Sequence, residues 1–498
     1  MKRILARIAQ HAVQRADQTA LSDSYDSLSY HELQDEITRL ARLIDRRRVA
    51  LLLPNSCAWA VLDLALQQRG ATCIPLPTFF SDAQLAHVLS DAQPDLVITD
   101  QPQRLAGLLP DAAASLMHLT VAGRQLTGLR RAGAARNAFP PDTAKLTYTS
   151  GTTGQPKGVC LSGAAMAEVT LGLSAAVQGR ANDRALSLLP LSTLLENIGG
   201  LYAPLYSGAR AYLPDLAECG FSGSSGVDAV QLLTALNQYR PTTTILVPQL
   251  LKVMVAAAEG GAPLPAGLRF VAVGGARCAA GLIERAWRVG LPVYEGYGLS
   301  EACSVVSLNL PGHGRAAGTG CALPHARVRI ADDGEVVVSG TLFSGYLGQP
   351  NAVAKEWHTG DLGRLDADGN LHISGRKRDA YATAYGRNVS PDWVEGELLG
   401  STALLQAAVF GEGRPANVAV LVPHPQAGQA TIEAAVAEAN RRLPDYARVH
   451  HWLVAEQPFT PANGLASAGG AVLRAAVAQA YAAQIEQLYA EEEADALV

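Results

Sequence analysis

Leu146-Thr-Tyr-Thr-Ser-Gly-Thr-Thr-Gly-Gln-Pro-Lys-Gly158 is the stretch on which the reading of this chain turns. Two glycines and a run of Ser and Thr lead to a single lysine, so one loop can aim backbone N–H groups, hydroxyls and a cation at the same point. Glycine lets the backbone approach an oxyanion without a Cβ clash, and consecutive main-chain amides form an anion-binding nest. The stretch is therefore a candidate phosphate cradle. The spacing departs from the ordinary P-loop, because Lys157 is followed by Gly158 rather than Ser or Thr. Read blandly, the same composition is a hydrophilic linker. Against that, residues 144–148 alternate and residues 159–161 are apolar, which predicts two strands flanking a hairpin-like loop.

Working outward, residues 33–44 carry Leu33, Ile37, Leu40 and Ile44 at helical spacing, and residues 49–53 form a short apolar run ended by Pro54. Helix-like 58–68, strand-like 73–76, helix-like 83–89 and strand-like 96–99 continue the alternation, which predicts parallel sheet covered by helices. Downstream, Phe270-Val-Ala-Val-Gly-Gly-Ala276 reads as a buried strand ending in two glycines, and Val293-Tyr-Glu-Gly-Tyr-Gly-Leu-Ser-Glu301 as a strand entering a loop. Ligands of open α/β sheets bind outside the carboxyl ends of such strands. Residues 335–340 and 369–374 are short alternating strands of a small β unit that includes Trp357-His-Thr-Gly-Asp-Leu362. Taken singly, Tyr297 reads as a core aromatic, Glu301 as a solvated charge and Asp361 as a turn residue.

Together and in this order, the motifs resemble those of the AMP-forming adenylating superfamily, which includes acyl-CoA synthetases, aryl-CoA ligases, luciferases and peptide-synthetase adenylation domains. The resemblance runs from about residue 25 to about residue 485. It implies an α/β fold: a large N-terminal domain (1–377) of helix-covered parallel sheets plus a small β unit, then a small mobile α/β cap (378–498) hinged near Arg378. It implies that Thr147, Thr149, Ser150, Gly151, Thr152, Thr153, Gly154 and Lys157 hold the β- and γ-phosphates of ATP. Gly274, Gly275 and Ala276 would border the adenine, Tyr297 would stack on it beside Gly298, and Ser300 would touch the α-phosphate. Glu301 would hold Mg²⁺, Asp361 would accept the ribose hydroxyls, and Arg376 would also reach the nucleotide. Each assignment suits the chemistry, since a ring stacks on a base and a hard dication prefers carboxylate oxygen. Thr193 falls where a gating His often lines the acyl pocket, and Gly199 and Gly200 would leave room for an acyl chain or mark close helix packing. The loop 381–389, with Gly386, would face the site in a transferring pose and admit a pantetheine arm.

The resemblance breaks near the end. The family carries a lysine that bridges the acyl carboxylate and the α-phosphate; here that position in Thr460-Pro-Ala-Asn-Gly-Leu-Ala-Ser-Ala-Gly-Gly-Ala-Val-Leu-Arg474 falls on Ala471, and no lysine follows Lys377. Arg474 is the nearest cation and the candidate replacement.

Composition sets the outer bounds. With 498 residues, 48% apolar and 17% charged, the chain can bury a sizeable core, and its net charge of −5 gives no reason to expect a nucleic-acid partner. Seven scattered cysteines, never spaced Cys-x-x-Cys, read as small wall residues in a reducing compartment. The apolar stretch 49–66 is interrupted by Pro54, Asn55 and Asp63, so no transmembrane span is expected, and residues 1–15 read as an amphipathic surface helix rather than a signal peptide. The acidic run 491–495 reads as a solvated tail. The expectation is a cytoplasmic, ATP- and Mg²⁺-dependent ligase. It would activate a small carboxylic acid, inclined toward a fatty acid, for a thiol of CoA or of carrier-protein phosphopantetheine, with an acyl carrier protein as possible partner. An amide-forming ligase and a non-catalytic binder of nucleotide or acyl-adenylate are the rival readings, the second kept alive by Ala471.

Overall fold

Strands Thr143–Thr149 and Lys157–Ser162 pair antiparallel, as the patterning on either side of the glycine-rich loop requires. The computed structural model describes residues 1–109, 116–131, 138–149, 156–222, 226–349, 355–384, 387–467 and 470–495. Ser150, Gly151, Thr152, Thr153, Gly154 and Gly386 therefore lie outside the described residues.

That hairpin sits inside an eight-stranded mixed sheet, with Thr72–Pro75, Arg48–Leu52 and Leu96–Thr99 parallel beside it. A second, nine-stranded sheet runs parallel from Thr19–Ser22 through Arg210–Tyr212, Arg184–Leu186, Thr243–Leu246, Phe270–Val273 and Val293–Leu299, with antiparallel strands at its edges. A four-stranded antiparallel unit covers Ala326–Ile330, Glu335–Gly340, Glu356–Leu365 and Leu371–Arg376. The last part of the chain folds around the strands Leu404–Phe410, Asn417–Pro423 and Val449–Val454 and has its own apolar clusters. The α/β class with a small β unit and a small terminal α/β part is as expected; the large sheets are mixed rather than purely parallel.

Helix Cys57–Arg69 shows how sequence becomes packing. The Ser56 hydroxyl accepts from the Trp59 N–H to start it, and Gly70, at φ 74°, ends it in the left-handed region. Residues 57–67 are buried on every side, which is what a helix without a polar face requires. Its one carboxylate, Asp63, has no exposure and lies 2.8 Å from Lys145 Nζ on the strand leading to the glycine-rich loop. Lys145 also donates to Asn197 Oδ1 at 2.5 Å and Tyr202 Oη at 3.1 Å, and Tyr202 donates to Asp63 Oδ2 at 2.5 Å. Asn197 and Tyr202 bound a π-helical turn, a local form common near functional sites.

The acidic run 491–495 belongs to helix Ala482–Asp495, which Ile485, Leu488 and Tyr489 anchor in the terminal core. Asp361, which taken singly reads as a turn residue, lies in the strand Glu356–Leu365, with the irregularity absorbed at Gly360, φ 72°.

The terminal part docks through helix Pro391–Leu399, whose carboxyl end receives cations from the larger part. Lys252 Nζ donates to Leu399 O at 3.0 Å and to Leu404 O, and Arg285 donates to Gly400 O at 3.0 Å. Cations at a helix C-terminus complement its dipole.

Asp63→Ala strands a buried ammonium and is expected to lower unfolding free energy by about 3–5 kcal/mol, whereas Lys145→Met with Asp63→Leu should recover most of it. Denaturant unfolding of both variants checks this; equal losses in the two would contradict the account.

Candidate active site

Strand Phe270–Val273 delivers its carboxyl end to Gly274 and Gly275, the latter at φ 80°. Its parallel neighbour Val293–Leu299 delivers Tyr297 and Gly298 and then turns back as Ser304–Leu308. The reversal is tight: a Cβ on Gly298 would overlap the Ser304 carbonyl, and Cys303 and Ser304 sit at φ 59° and 102°. Non-glycine residues held in that region store strain, which clusters at functional sites. Ser300 and Glu301 ride on this turn.

Two groups of side chains form around it. In the first, Tyr297 donates to Asp361 Oδ2 at 2.5 Å and Arg376 Nε lies 2.9 Å from Asp361 Oδ1. The Asp361 side chain is 7% exposed, and burial raises its carboxyl above the usual range while Arg376 and Tyr297 pull it back. A carboxylate has about four acceptor sites, so both Asp361 oxygens keep capacity for a diol. In the second group, Tyr346 donates to Glu301 Oε1 at 2.6 Å, and Lys157 Nζ stands 5.8 Å from the centre of the Tyr346 ring. Strand Gly345–Tyr346 pairs with Lys157–Ser162, which brings the exit of the glycine-rich loop against the turn bearing Glu301. Tyr346 was not singled out from sequence.

No group of three or more His, Cys, Asp or Glu residues suited to a metal occurs among the described residues. Glu301 alone is the expected ligand, and one carboxylate fits Mg²⁺ that arrives on a polyphosphate and keeps several waters.

A narrow, mainly apolar cavity of about 60 Å³ lies between the nine-stranded sheet and the π-helical turn, walled by Gly199, Gly200 and Ala203 on one side and Ile245, Phe270 and Ala272 on the other. The two glycines line this cavity, and a Cβ on Gly199 would lie 2.6 Å from Ile245 Cδ1, as close packing requires. Thr193 is placed before this turn, its hydroxyl donating to Pro190 O at 2.7 Å. Behind Gly200 sits Glu196, with no exposure and neither carboxyl oxygen hydrogen-bonded among the described residues. Burial pushes its carboxyl up to about 8; Ser187 and the Leu189 backbone are near enough to temper this without bonding geometry. A Cβ on Gly200 would overlap that carboxyl. Sequence offered no signal for it beyond a Glu in an apolar helix.

Toward the end of the chain, Ala471 is exposed; its N–H donates to Ser467 Oγ at 3.1 Å and its carbonyl accepts from Ser467 N–H at 2.8 Å. Arg474 is committed elsewhere: its guanidinium grips Glu395 at 2.9 and 2.8 Å and Asp392 at 2.6 Å. Those bonds count against Arg474 as a free replacement for the missing lysine.

Known proteins resemble this chain over most of its length. The AMP-binding enzyme family model matches residues 8–347, and the model of the AMP-binding enzyme C-terminal domain matches residues 379–493. The long-chain-fatty-acid–CoA ligase FadD15 of Mycobacterium bovis is 27% identical over 89% of this chain and 88% of its own. The indoleacetate–CoA ligase of Aromatoleum aromaticum is 29% identical over 86% of this chain and 89% of its own. The crystal structure of the anthranilate CoA ligase AuaEII in complex with anthranoyl-AMP shares the fold, with a TM-score of 0.79 at 19% identity, covering 96% of each chain.

Glu196 generates a pH prediction. Its folded value of about 8 exceeds the ordinary 4.5, so the folded state holds the proton more tightly and stability declines as pH rises from about 4.5 toward 8. Glu196→Gln should therefore gain melting temperature over the parent progressively from pH ~5 to pH ~8. Thermal melts across that range check it; a pH-independent difference would mean that Glu196 is already ionised.

Proposed function

Because the chain belongs to the AMP-binding enzyme family, we propose that it is an AMP-forming acid–thiol ligase that activates a fatty acid as its acyl-adenylate and passes the acyl group to CoA or to carrier-protein phosphopantetheine. The observation that carries this reading is the grouping of Tyr297, Arg376 and buried Asp361 at the carboxyl ends of the parallel strands. The apolar cavity and the similarity to FadD15 favour an alkyl acid.

In this reading the carboxylate oxygen of the acid attacks the α-phosphorus of ATP, pyrophosphate leaves, and a thiolate then displaces AMP from the mixed anhydride. Asp361 anchors the ribose hydroxyls, and Arg376 orients Asp361 and adds positive charge. Lys157 and the hydroxyl-rich loop that includes Thr149 hold the β- and γ-phosphates, Ser300 meets the α-phosphate, and Gly274, Gly275 and Ala276 let the adenine lie close to the backbone. Mg²⁺, held by Glu301 and the phosphates, would neutralise charge as the carboxylate approaches. Positioning and charge neutralisation do most of this work. Residues 1–377 form the ATP- and acid-binding domain and 378–498 a cap that turns about Arg378. The seven free cysteines favour a reducing, cytoplasmic setting, and among the described residues no helix is long and apolar enough to cross a membrane.

Ala471 removes a cation from the adenylation step, and Arg474 is held by Glu395 and Asp392. The same position supports a second reading, a binder of nucleotide or acyl-adenylate that does not form it. Because Ala471 is exposed and bonds to Ser467 only through its own N–H and carbonyl, a lysine is sterically admissible there.

Ala471→Lys is expected to raise carboxylate-dependent pyrophosphate release by about 10²–10³ while leaving transfer from preformed acyl-adenylate within about twofold. Pyrophosphate release over a panel of fatty and aryl acids, on the parent and the variant, decides the matter. Release by the parent establishes the ligase and names its acid, and release only by the variant places the defect at Ala471. Nucleotide binding with no release from either protein would overturn the ligase reading in favour of the binder.

A further inference from the structure

Asp361 takes its direction from a bulge, and one carboxylate outside the site holds that bulge. Glu335 faces Leu362 and Val337 faces His358, so two steps along strand Glu335–Gly340 are matched by four along strand Glu356–Leu365. The surplus falls on Thr359, Gly360 and Asp361. A bulge re-aims a side chain, but it takes peptide groups out of the ladder, and these need other partners. The Asp361 N–H donates to Thr359 Oγ1 at 3.1 Å, and Thr359 Oγ1 in turn donates to Val336 O at 2.7 Å. Gly360 O accepts from the Lys377 N–H at 2.8 Å. The Gly360 N–H, in a residue at φ 72° that glycine adopts without strain, donates to Glu335 Oε1 at 2.9 Å. The Glu335 side chain is 9% exposed, and its Oε2 accepts from Lys377 Nζ at 3.0 Å with His358 Nδ1 at 3.2 Å. Gly360 precedes Asp361 and Lys377 follows Arg376, so Glu335 bonds to the chain one residue from each member of the Asp361–Arg376 pair.

We propose that Glu335 is a positioning residue for the nucleotide's ribose: it fixes the Gly360 peptide and, through it, the direction in which the Asp361 carboxylate points, a role that rests on the ligase reading. A plain surface ion pair would not need this arrangement. Lys377 is 44% exposed and already reaches Asp333 at 2.7 Å, and pairs of that kind add little. The bond from the Gly360 N–H is of another kind, because an ionised acceptor makes hydrogen bonds roughly twice as strong as a neutral one. Glycine carries no side chain to restrict its backbone, so Gly360 without that acceptor has little else to set its φ and ψ. Any rotation there is passed directly to Asp361. The carboxylate would then meet the ribose hydroxyls at a poorer angle, although the adenine and phosphate contacts stay as they were.

Because Ala471 can mask turnover, the test reads binding, and it compares a ligand that has ribose hydroxyls with one that lacks them. AMP and 2′,3′-dideoxy-AMP are titrated calorimetrically into the full chain. The parent should bind AMP at least about tenfold more tightly than the dideoxy ligand. Glu335→Met is close in size but cannot accept a hydrogen bond, and should weaken AMP about tenfold while leaving dideoxy-AMP within about twofold. Glu335→Gln keeps one neutral acceptor oxygen for two donors and should lose about threefold on AMP alone. In an Asp361→Ala background, Glu335→Met should change AMP affinity by less than about twofold, since its effect travels through the side chain already removed. A merely structural role would weaken both ligands alike. Equal weakening of the two therefore overturns the positioning role, as does a full further loss in the Asp361→Ala background. Glu335→Met with the parent's preference for AMP also overturns it, and if that variant fails to fold, an unchanged preference in Glu335→Gln does the same. A parent that binds both ligands equally takes Asp361 away from the ribose, and Glu335 with it. Failure of either nucleotide to bind the parent removes the ligase reading itself.

Discussion

A lysine and an aspartate withdrawn from water hold the working parts of this molecule in one frame. Desolvating two such charges costs several kcal/mol per ion, and their attraction repays that only in good geometry with further hydrogen bonds. Lys145 and Asp63 meet that condition through Asn197 and Tyr202. What the pair specifies is position. Lys145 lies on the strand that enters the glycine-rich loop, Asp63 on a helix buried all round, and Asn197 and Tyr202 on the turn that walls the apolar cavity. A one-residue slip of the strand would turn Lys145 to the other face of the sheet and leave Asp63 uncompensated. The strand that enters the glycine-rich stretch and the turn that walls the apolar cavity are thereby tied to a common reference.

Around that frame, charge is arranged in pairs with unused acceptor or donor capacity. Asp361 holds Tyr297 and Arg376 and can still accept a diol; Glu301 holds Tyr346 and keeps oxygens for a hard cation. Each carboxylate is oriented before any ligand arrives, so little reorganisation remains to be done on binding. The strained turn at Cys303 and Ser304 fits the same logic, because the close approach at Gly298 sets where Ser300 and Glu301 can point.

The strand–loop–strand around residues 146–158 and the two glycine-ended strands were legible because their patterns are local: alternation, apolar runs and glycines at the ends. The helix-like stretch 58–68 appears as helix Cys57–Arg69, begun by the Ser56 cap. What sequence did not give depends on contacts between distant segments. Tyr346 meets Glu301 across 45 positions, and Asp183 meets Arg269 across 86. Glu196 was illegible for a different reason: a carboxyl expected on a solvated face ended up sealed behind Gly200, where tertiary packing overrides the residue's preference.

The terminal part shows where positive charge is not available. Arg474 is matched by Glu395 and Asp392 within its own part of the chain, and Lys252 and Arg285 are occupied with carbonyls at the end of the docking helix. To redirect Arg474 toward a phosphate would strand Glu395, whose side chain is 12% exposed, and an uncompensated carboxylate there costs more than one exposed charge contact returns. In the proposed reaction, the cations left to face the polyphosphate are Lys157, at the mouth of the glycine-rich loop, and half-exposed Arg376. Both belong to the larger part of the chain, so adenylation by this protein would draw its electrostatic assistance from one side of the site, with Mg²⁺ at Glu301 carrying a correspondingly larger share. The thiol-transfer step makes no such demand, because the phosphate chain has already departed as pyrophosphate. In that proposed reaction, an alanine at position 471 would therefore weigh on the first half and leave the second half to the acceptor's approach.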